Sequence, residues 1–244
     1  MDKFNNWQDF WDKFLLNRYG KEEVQTEDDL YFQVARTVNR KPVTKEVFDR
    51  IIEQIIEYLD LLPGDILVDF CCGNGLFTFE LSGKVKQIIG VDFSQNIIDT
   101  ANKFKAALNV SYCLGSVVDY MNTFKESWPG IQPGKYLMND SLAYFSGADL
   151  EKMLISVSDV SEKFTFLLRG VPNEELKWNY YNTPERKQFY HDLVAKGDLT
   201  NDGLGSWWQP EEISGICAKL NLKCLVRNQE PLLSDYRMDI IISK

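Results

Sequence analysis

The residues best suited to chemistry lie in two short stretches. Asp69-Phe-Cys-Cys-Gly73-Asn-Gly75 sits where an apolar run, Ile66–Phe70, gives way to the start of a helix. Glycine bends the backbone there and lets it approach a ligand with no Cβ in the way. A helix start also offers free N–H groups to a polar ligand end. A second apolar run, Gln87–Val91, closes on Asp92, seventeen residues after Gly75. A carboxylate in that place can accept hydrogen bonds from both hydroxyls of a ribose. Each feature alone has a plain alternative: a tight strand-to-helix turn that binds nothing, or an acid that caps the next helix. Position 78, where a dinucleotide fingerprint carries its third glycine, is Thr78, so GxGxxG is not met.

Two further residues carry charge chemistry. His191, in Phe189-Tyr190-His191-Asp192, is the single histidine of the chain. Its side chain type alone titrates near neutrality when unperturbed, which makes it a candidate base. A lone surface or core histidine is the common alternative. Arg169 follows the fifth apolar strand pattern and can hold an anionic group or form an ordinary salt bridge.

The surrounding pattern says what positions these groups. Residues 6–17 place Trp7, Phe10, Trp11, Phe14 and Leu15 on one helical stripe, and Thr44 to Asp60 repeats apolar residues at helical spacing. Leu62-Pro63-Gly64 ends that helix, and strands then alternate with helices. Strands are expected at Ile66–Phe70, Gln87–Val91, Val110–Leu114, Tyr136–Asn139 and Phe164–Leu168. Between them come helices at Leu76–Leu81, along the Ile97, Ala101, Phe104, Leu108 face, from Ser116 with Asp119 at capping-box spacing, and after Ser146 and Asp149. Such alternation gives parallel βαβ units. Pro210 opens a last helix, and Leu222–Arg227 and Met238–Ile242 are joined by too few residues for a helical crossover, so they pair antiparallel.

Composition narrows the class. The 244 residues carry a formal net charge of −9, against the basic surface that a phosphate-tracking protein needs, so nucleic acid is not expected as a partner. No apolar run approaches the ~20 residues of a membrane helix, and no membrane partner or signal peptide is expected. The five cysteines include no CxxC pair, which speaks against a disulfide framework or a metal site and for a cytoplasmic protein. Oligomeric state is not legible here.

Taken in order, Ile66-Leu-Val-Asp69-Phe-Cys-Cys-Gly73-Asn-Gly75 and Ile89-Gly-Val-Asp92-Phe-Ser resemble the class I S-adenosylmethionine-dependent methyltransferases, in particular the bacterial small-molecule and sugar-modifying group. The likeness runs from about Leu61 to Leu168 and takes in the terminal hairpin. It implies S-adenosylmethionine as cofactor, with Gly73 and Gly75 under its methionine part and Asp69 orienting its amino group. Asp92 would hold the ribose and Phe93 would lie against the adenine. Cys71 stands where the family has a glycine. Ser116 would take the adenine amine where the family often has an acid, and Val117 would stack on the base. Asn139 would border the cofactor, with Asp140 and Tyr144 facing the substrate, unless Asp140 only caps a turn.

The expected fold is therefore α/β, a Rossmann-like seven-stranded methyltransferase sheet with five parallel strands, a C-terminal antiparallel hairpin and a helical aromatic cap. One domain is expected over 1–244: an N-terminal helical cap (1–60), a cofactor-binding core (61–169), a cap insertion (170–209), and the final helix and hairpin (210–244). Segments 1–35 and 170–209 hold 15 of the 32 aromatics, an enrichment that suits a cap over a small-molecule acceptor, or else a second small core. Methyl transfer is an in-line displacement, so the main task is alignment, and a base is needed only when the nucleophile carries a proton. The expected activity is methylation of a hydroxyl on a sugar or saccharide-linked acceptor. His191 or Asp140 would act as base, and Tyr144 and Arg169 would position the acceptor. A small-molecule N-methyltransferase, a nicotinamide-dependent reductase and a non-catalytic cofactor-binding protein are the alternatives.

Overall fold

A computed structural model describes residues 7–196 and 204–244. Two compact units divide the chain, Met1–Tyr136 and Leu137–Lys244. The main sheet has seven strands, in chain order β3 (Ile66–Phe70), β4 (Gln87–Asp92), β5 (Val110–Leu114), β6 (Lys135–Asn139), β7 (Thr165–Pro172), β8 (Lys223–Asn228) and β9 (Arg237–Ser243). Their spatial order is β5-β4-β3-β6-β7-β9-β8, the expected Rossmann-like sheet with its antiparallel strands at one edge.

In the first unit β3 pairs parallel with β4, and β4 parallel with β5, so that Asp69 stands beside Gly90 and Asp92 beside Leu114. Leu67, Val68, Phe70, Ile88, Ile89 and Val91 are buried, as both faces of a helix-covered parallel sheet require. Before this sheet come α1 (Trp7–Asp12), α2 (Phe14–Tyr19), α3 (Glu27–Gln33), a two-stranded ribbon of β1 (Thr37–Val38) and β2 (Lys41–Pro42), and α4 (Lys45–Leu59). Thr44 caps α4 through Val47 N–H, and its buried stripe is Phe48, Ile51, Ile55 and Leu59. Between and after the strands lie α5 (Leu76–Leu81), α6 (Gln95–Phe104) and a single turn, α7 (Phe124–Ser127).

The second unit holds α8 (Gly147–Val160), α9 (Lys177–Tyr180), α10 (Pro184–Lys196) and α11 (Pro210–Lys219). Ser146 and Asp149 close the expected capping box on α8, each satisfying the other's backbone donor. Pro210 opens α11. The antiparallel hairpin forms as expected, with Lys223 opposite Ser243, and β9 also runs antiparallel to β7.

Four local expectations are corrected. The stripe over 6–17 folds as two short helices that meet at Lys13. Leu108 is fully exposed beyond the end of α6, so it does not belong to that helix's apolar face. Ser116 and Asp119 form a turn leading to a 3₁₀ segment rather than a capped α-helix. The fifth strand continues to Pro172 through an irregularity between Leu168 and Val171, because β9 supplies a partner on both sides of it. Phe4 and residues 197–203 of the cap insertion lie outside the described residues.

Candidate active site

In the first unit the chain leaves β3 through three left-handed residues, Cys71 (φ 55°), Gly73 (φ 57°) and Gly75 (φ 77°). The glycine at 75 is obligatory: a Cβ there would stand 2.2 Å from the Tyr112 hydroxyl. Cys71 holds a conformation that costs a side-chain-bearing residue about 1–3 kcal/mol. The bend is tied to the next strand. Cys72 N–H donates to the Val91 carbonyl at 3.1 Å, and Gly73 N–H donates to Asp92 Oδ2 at 3.0 Å. The other oxygen of Asp92 accepts from Ser94 N–H at 3.1 Å.

Both expected carboxylates are withdrawn from water. Burial pushes the Asp69 carboxyl up to about 7, against the pull of the Thr78 hydroxyl, 2.6 Å away. Burial likewise raises Asp92 to about 6, against its backbone N–H donors. Neighbouring acids reinforce both shifts, Asp92 acting on Asp69 and Asp12 on Asp92. Between the glycines, Asn74 is wholly buried and donates through Nδ2 to the Leu30 carbonyl at 2.8 Å and to Gln33 Oε1 at 3.0 Å. Its Oδ1 has no hydrogen-bond partner among the described residues.

The N-terminal helices lie on this bend. Ser94 hydroxyl donates to Asp12, Gln8 Nε2 reaches the Phe93 carbonyl at 3.4 Å, and Val34 would touch any Cβ added at Gly73. Phe93 is half-buried beyond Asp92 and Val117 is buried. Ser116 is exposed, and its hydroxyl meets Asp119 Oδ2 at 3.3 Å.

In the second unit the residues at the ends of β6 and β7 form a charged network. Asp140 adopts φ 56° and donates its N–H to the Arg169 carbonyl at 2.7 Å. Its carboxylate pairs with Arg237 at 3.0 Å and faces Arg169 at 3.7 Å. Arg169, 2% exposed, also donates to Asn139 Oδ1 at 3.2 Å. Gly170 (φ 71°) packs against Asp140 so closely that a Cβ would fall 1.7 Å from Oδ1, and its N–H donates to Asp239. Tyr144 lies near Arg237. Asn139, Asp140, Tyr144 and Arg169 thus come together around Arg237. His191 does not join them: it is exposed on α10 beside Trp178 and Tyr190, and no hydrogen bond connects it to Asp140 or Tyr144.

Residues 67–162 match a family model described as a methyltransferase domain. That stretch is a methyltransferase domain of the S-adenosylmethionine-dependent class. Among curated relatives, a "probable cobalt-precorrin-6B C(15)-methyltransferase (decarboxylating)" of Methanococcus vannielii is 37% identical over 87 residues, covering 34% of this chain and 47% of the relative. A 2-phytyl-1,4-naphtoquinone methyltransferase of Nostoc is 27% identical over 145 residues, 56% of each. The chain spans about half the length of these relatives. RNA methyltransferases also match, such as a 23S rRNA (uracil(1939)-C(5))-methyltransferase of Aliivibrio fischeri at 28% identity over 110 residues, 43% of this chain and 24% of the relative. The fold of magnesium protoporphyrin IX methyltransferase from Synechocystis, solved with S-adenosylhomocysteine, superposes at a TM-score of 0.60, with 12% identity and 98% of each chain covered.

Sequence reasoning missed several residues of these two clusters. Asn74 and Tyr112 complete the glycine bend, and Arg237, Asp239 and Gly170 complete the network around Asp140. Asn74 had a signal, a polar residue held between two glycines. Arg237 and Asp239 had none, since nothing local links β9 to the end of β6. The donor set of the bend fits S-adenosylmethionine. Asp69, Asp92 and Asn74 Oδ1 are acceptors that suit an amino group, a ribose diol and a sulfonium charge, whereas the Gly73 N–H that a pyrophosphate would need already serves Asp92. No helix among the described residues is long and apolar enough to cross a membrane.

Proposed function

We propose that this chain transfers a methyl group from S-adenosylmethionine to a small-molecule acceptor. The observation that carries the reading is the Gly73 N–H to Asp92 hydrogen bond of 3.0 Å, which joins the glycine bend to the ribose-type carboxylate and leaves that N–H unavailable to a phosphate. Bound S-adenosylmethionine would supply an electrophilic methyl on a sulfonium. Asp92 would accept from both ribose hydroxyls, Asp69 would face the methionine amine and Asn74 Oδ1 the sulfonium, with Phe93, Val117 and Ser116 toward the adenine and Cys71 completing the bend.

On the acceptor side, Asp140 orients rather than takes a proton, because guanidiniums address both its oxygens. Arg169 positions the Asn139 amide, and Tyr144 borders the same network. His191 stays the candidate base for a hydroxyl acceptor, testable by turnover of His191→Ala. The formal net charge of −9 favours a small molecule over RNA. Five free thiols suit a cytoplasmic protein. The saccharide acceptor expected from sequence finds no support in the relatives, whose named acceptors include a precorrin, a naphthoquinone and a magnesium protoporphyrin.

Calorimetry with S-adenosylhomocysteine and, separately, NADH tests the reading. S-adenosylhomocysteine is expected to bind and NADH to leave no heat; the reverse pattern overturns it.

A further inference from the structure

Within the second unit, hydrogen-bond acceptors and donors are unequally satisfied. The carboxylate of Asp140 is taken by Arg237 and Arg169, and Oδ1 of Asp239 accepts from Gly170 N–H at 2.8 Å and Gln229 at 2.7 Å. The amide oxygen of Asn139 is taken by Arg169. Among the side-chain donors left over, Asn139 Nδ2 and Trp207 Nε1 are both out of solvent with no hydrogen-bond partner among the described residues, and Asn139 is 7% exposed overall. A buried donor without a partner is costly, so such groups commonly await a ligand.

Around Trp207 the neighbours are rings. Trp207 lies 6.1 Å from Tyr180, 5.9 Å from Tyr181 and 5.9 Å from Tyr236, centroid to centroid. Arg237, which holds Asp140, also covers the Tyr236 ring at 5.4 Å. A continuous chain of contacts therefore runs from Asn139 through Asp140, Arg237 and Tyr236 to Trp207. We propose that Asn139 and Trp207 donate to the oxygens of a flat, aromatic acceptor that stacks against Tyr180 and Tyr236. A flat ring with a carbonyl, carboxylate or phenolate oxygen supplies both the stacking face and the missing acceptors.

The inference rests on the methyl-transfer reading only for the fate of the ligand; its test is a binding test. Coumarin, a flat ring system with carbonyl oxygen, is titrated into the protein beside naphthalene, of similar size and without oxygen. Coumarin is expected to bind at least about tenfold more tightly, from two regained hydrogen bonds. Equal affinity overturns the proposal. In ¹H NMR, the indole N–H resonance that disappears in Trp207→Phe is expected to move downfield with coumarin alone, and an unmoved resonance overturns it too. In Trp207→Phe the coumarin preference is expected to drop about fivefold while S-adenosylhomocysteine binding stays as in the parent. Should that variant not fold, the coumarin and naphthalene comparison on the unaltered protein decides. Failure of S-adenosylhomocysteine to bind would sink the methyl-transfer reading and leave the coumarin result standing.

Discussion

Asp92→Asn gives the sharpest test of the glycine bend. Burial lifts this carboxyl from 3.8 to about 6, which at about 1.4 kcal/mol per pH unit means its charge costs the folded state about 3 kcal/mol. Because the folded value is the higher one, the penalty is absent below about pH 4 and complete above about pH 6, so this group makes the free protein less stable as pH rises. Asparagine removes the charge but keeps one acceptor for two donors, Gly73 N–H and Ser94 N–H. An orphaned N–H costs about 1–3 kcal/mol. The two effects oppose each other, and Tm at pH 8 is expected to move little. Cofactor binding should respond far more, because a diol prefers the ionised carboxylate; losing one or two charge-assisted bonds weakens S-adenosylhomocysteine about a hundredfold. The parent should release about half a proton on binding at pH 6 and almost none at pH 8, since binding favours the charged form. Calorimetry in buffers of different ionisation enthalpy reads that number. Binding within threefold of the parent, or no proton release at pH 6, refutes the reasoning.

Three other outcomes follow from the geometry. Gly75→Ala is expected to cost about 2 kcal/mol or more in denaturant unfolding, from a left-handed alanine against the Tyr112 hydroxyl, and adding Tyr112→Phe should recover part of it. Gly170→Ala should cost about 3–5 kcal/mol, because its methyl would drive Asp140 off Arg237 and leave buried charges unpaired; a melting temperature within about 2 °C of the parent would contradict this. Ser146→Ala should lose about 1 kcal/mol through the capping box of α8, with S-adenosylhomocysteine affinity unchanged.

Much of the frame was legible because its signals are local. The apolar runs of β3, β4 and β5, the Ser146 and Asp149 box and Pro210 at a helix start each act within a few residues. The placement of Asp69, Gly73, Gly75 and Asp92 followed from strand ends, which the parallel register then brings side by side. What escaped depends on distant partners or on backbone conformations the residue type does not announce. Cys71 and Asp140 are left-handed without being glycine, and Asn39 and Arg40 turn the β1–β2 ribbon in the same region. The ion pairs of Asp140 were not legible because its two guanidinium partners come from β7 and β9, far along the chain. The helix expected at Ser116 contracted because Ser116 meets Asp119 through a turn instead of capping it.

The slot of β9 between β7 and β8 bears on how the molecule is made. Thr165 finds its partner only at Ser243, so a growing chain carries β7 with an open edge while everything up to the hairpin is synthesised. Open strand edges recruit other chains, and pairings this distant form slowly. Newly made copies should accordingly depend on protection from one another until β9 docks, and substitutions that weaken its apolar residues Met238, Ile240 and Ile242 should show first as lost soluble yield.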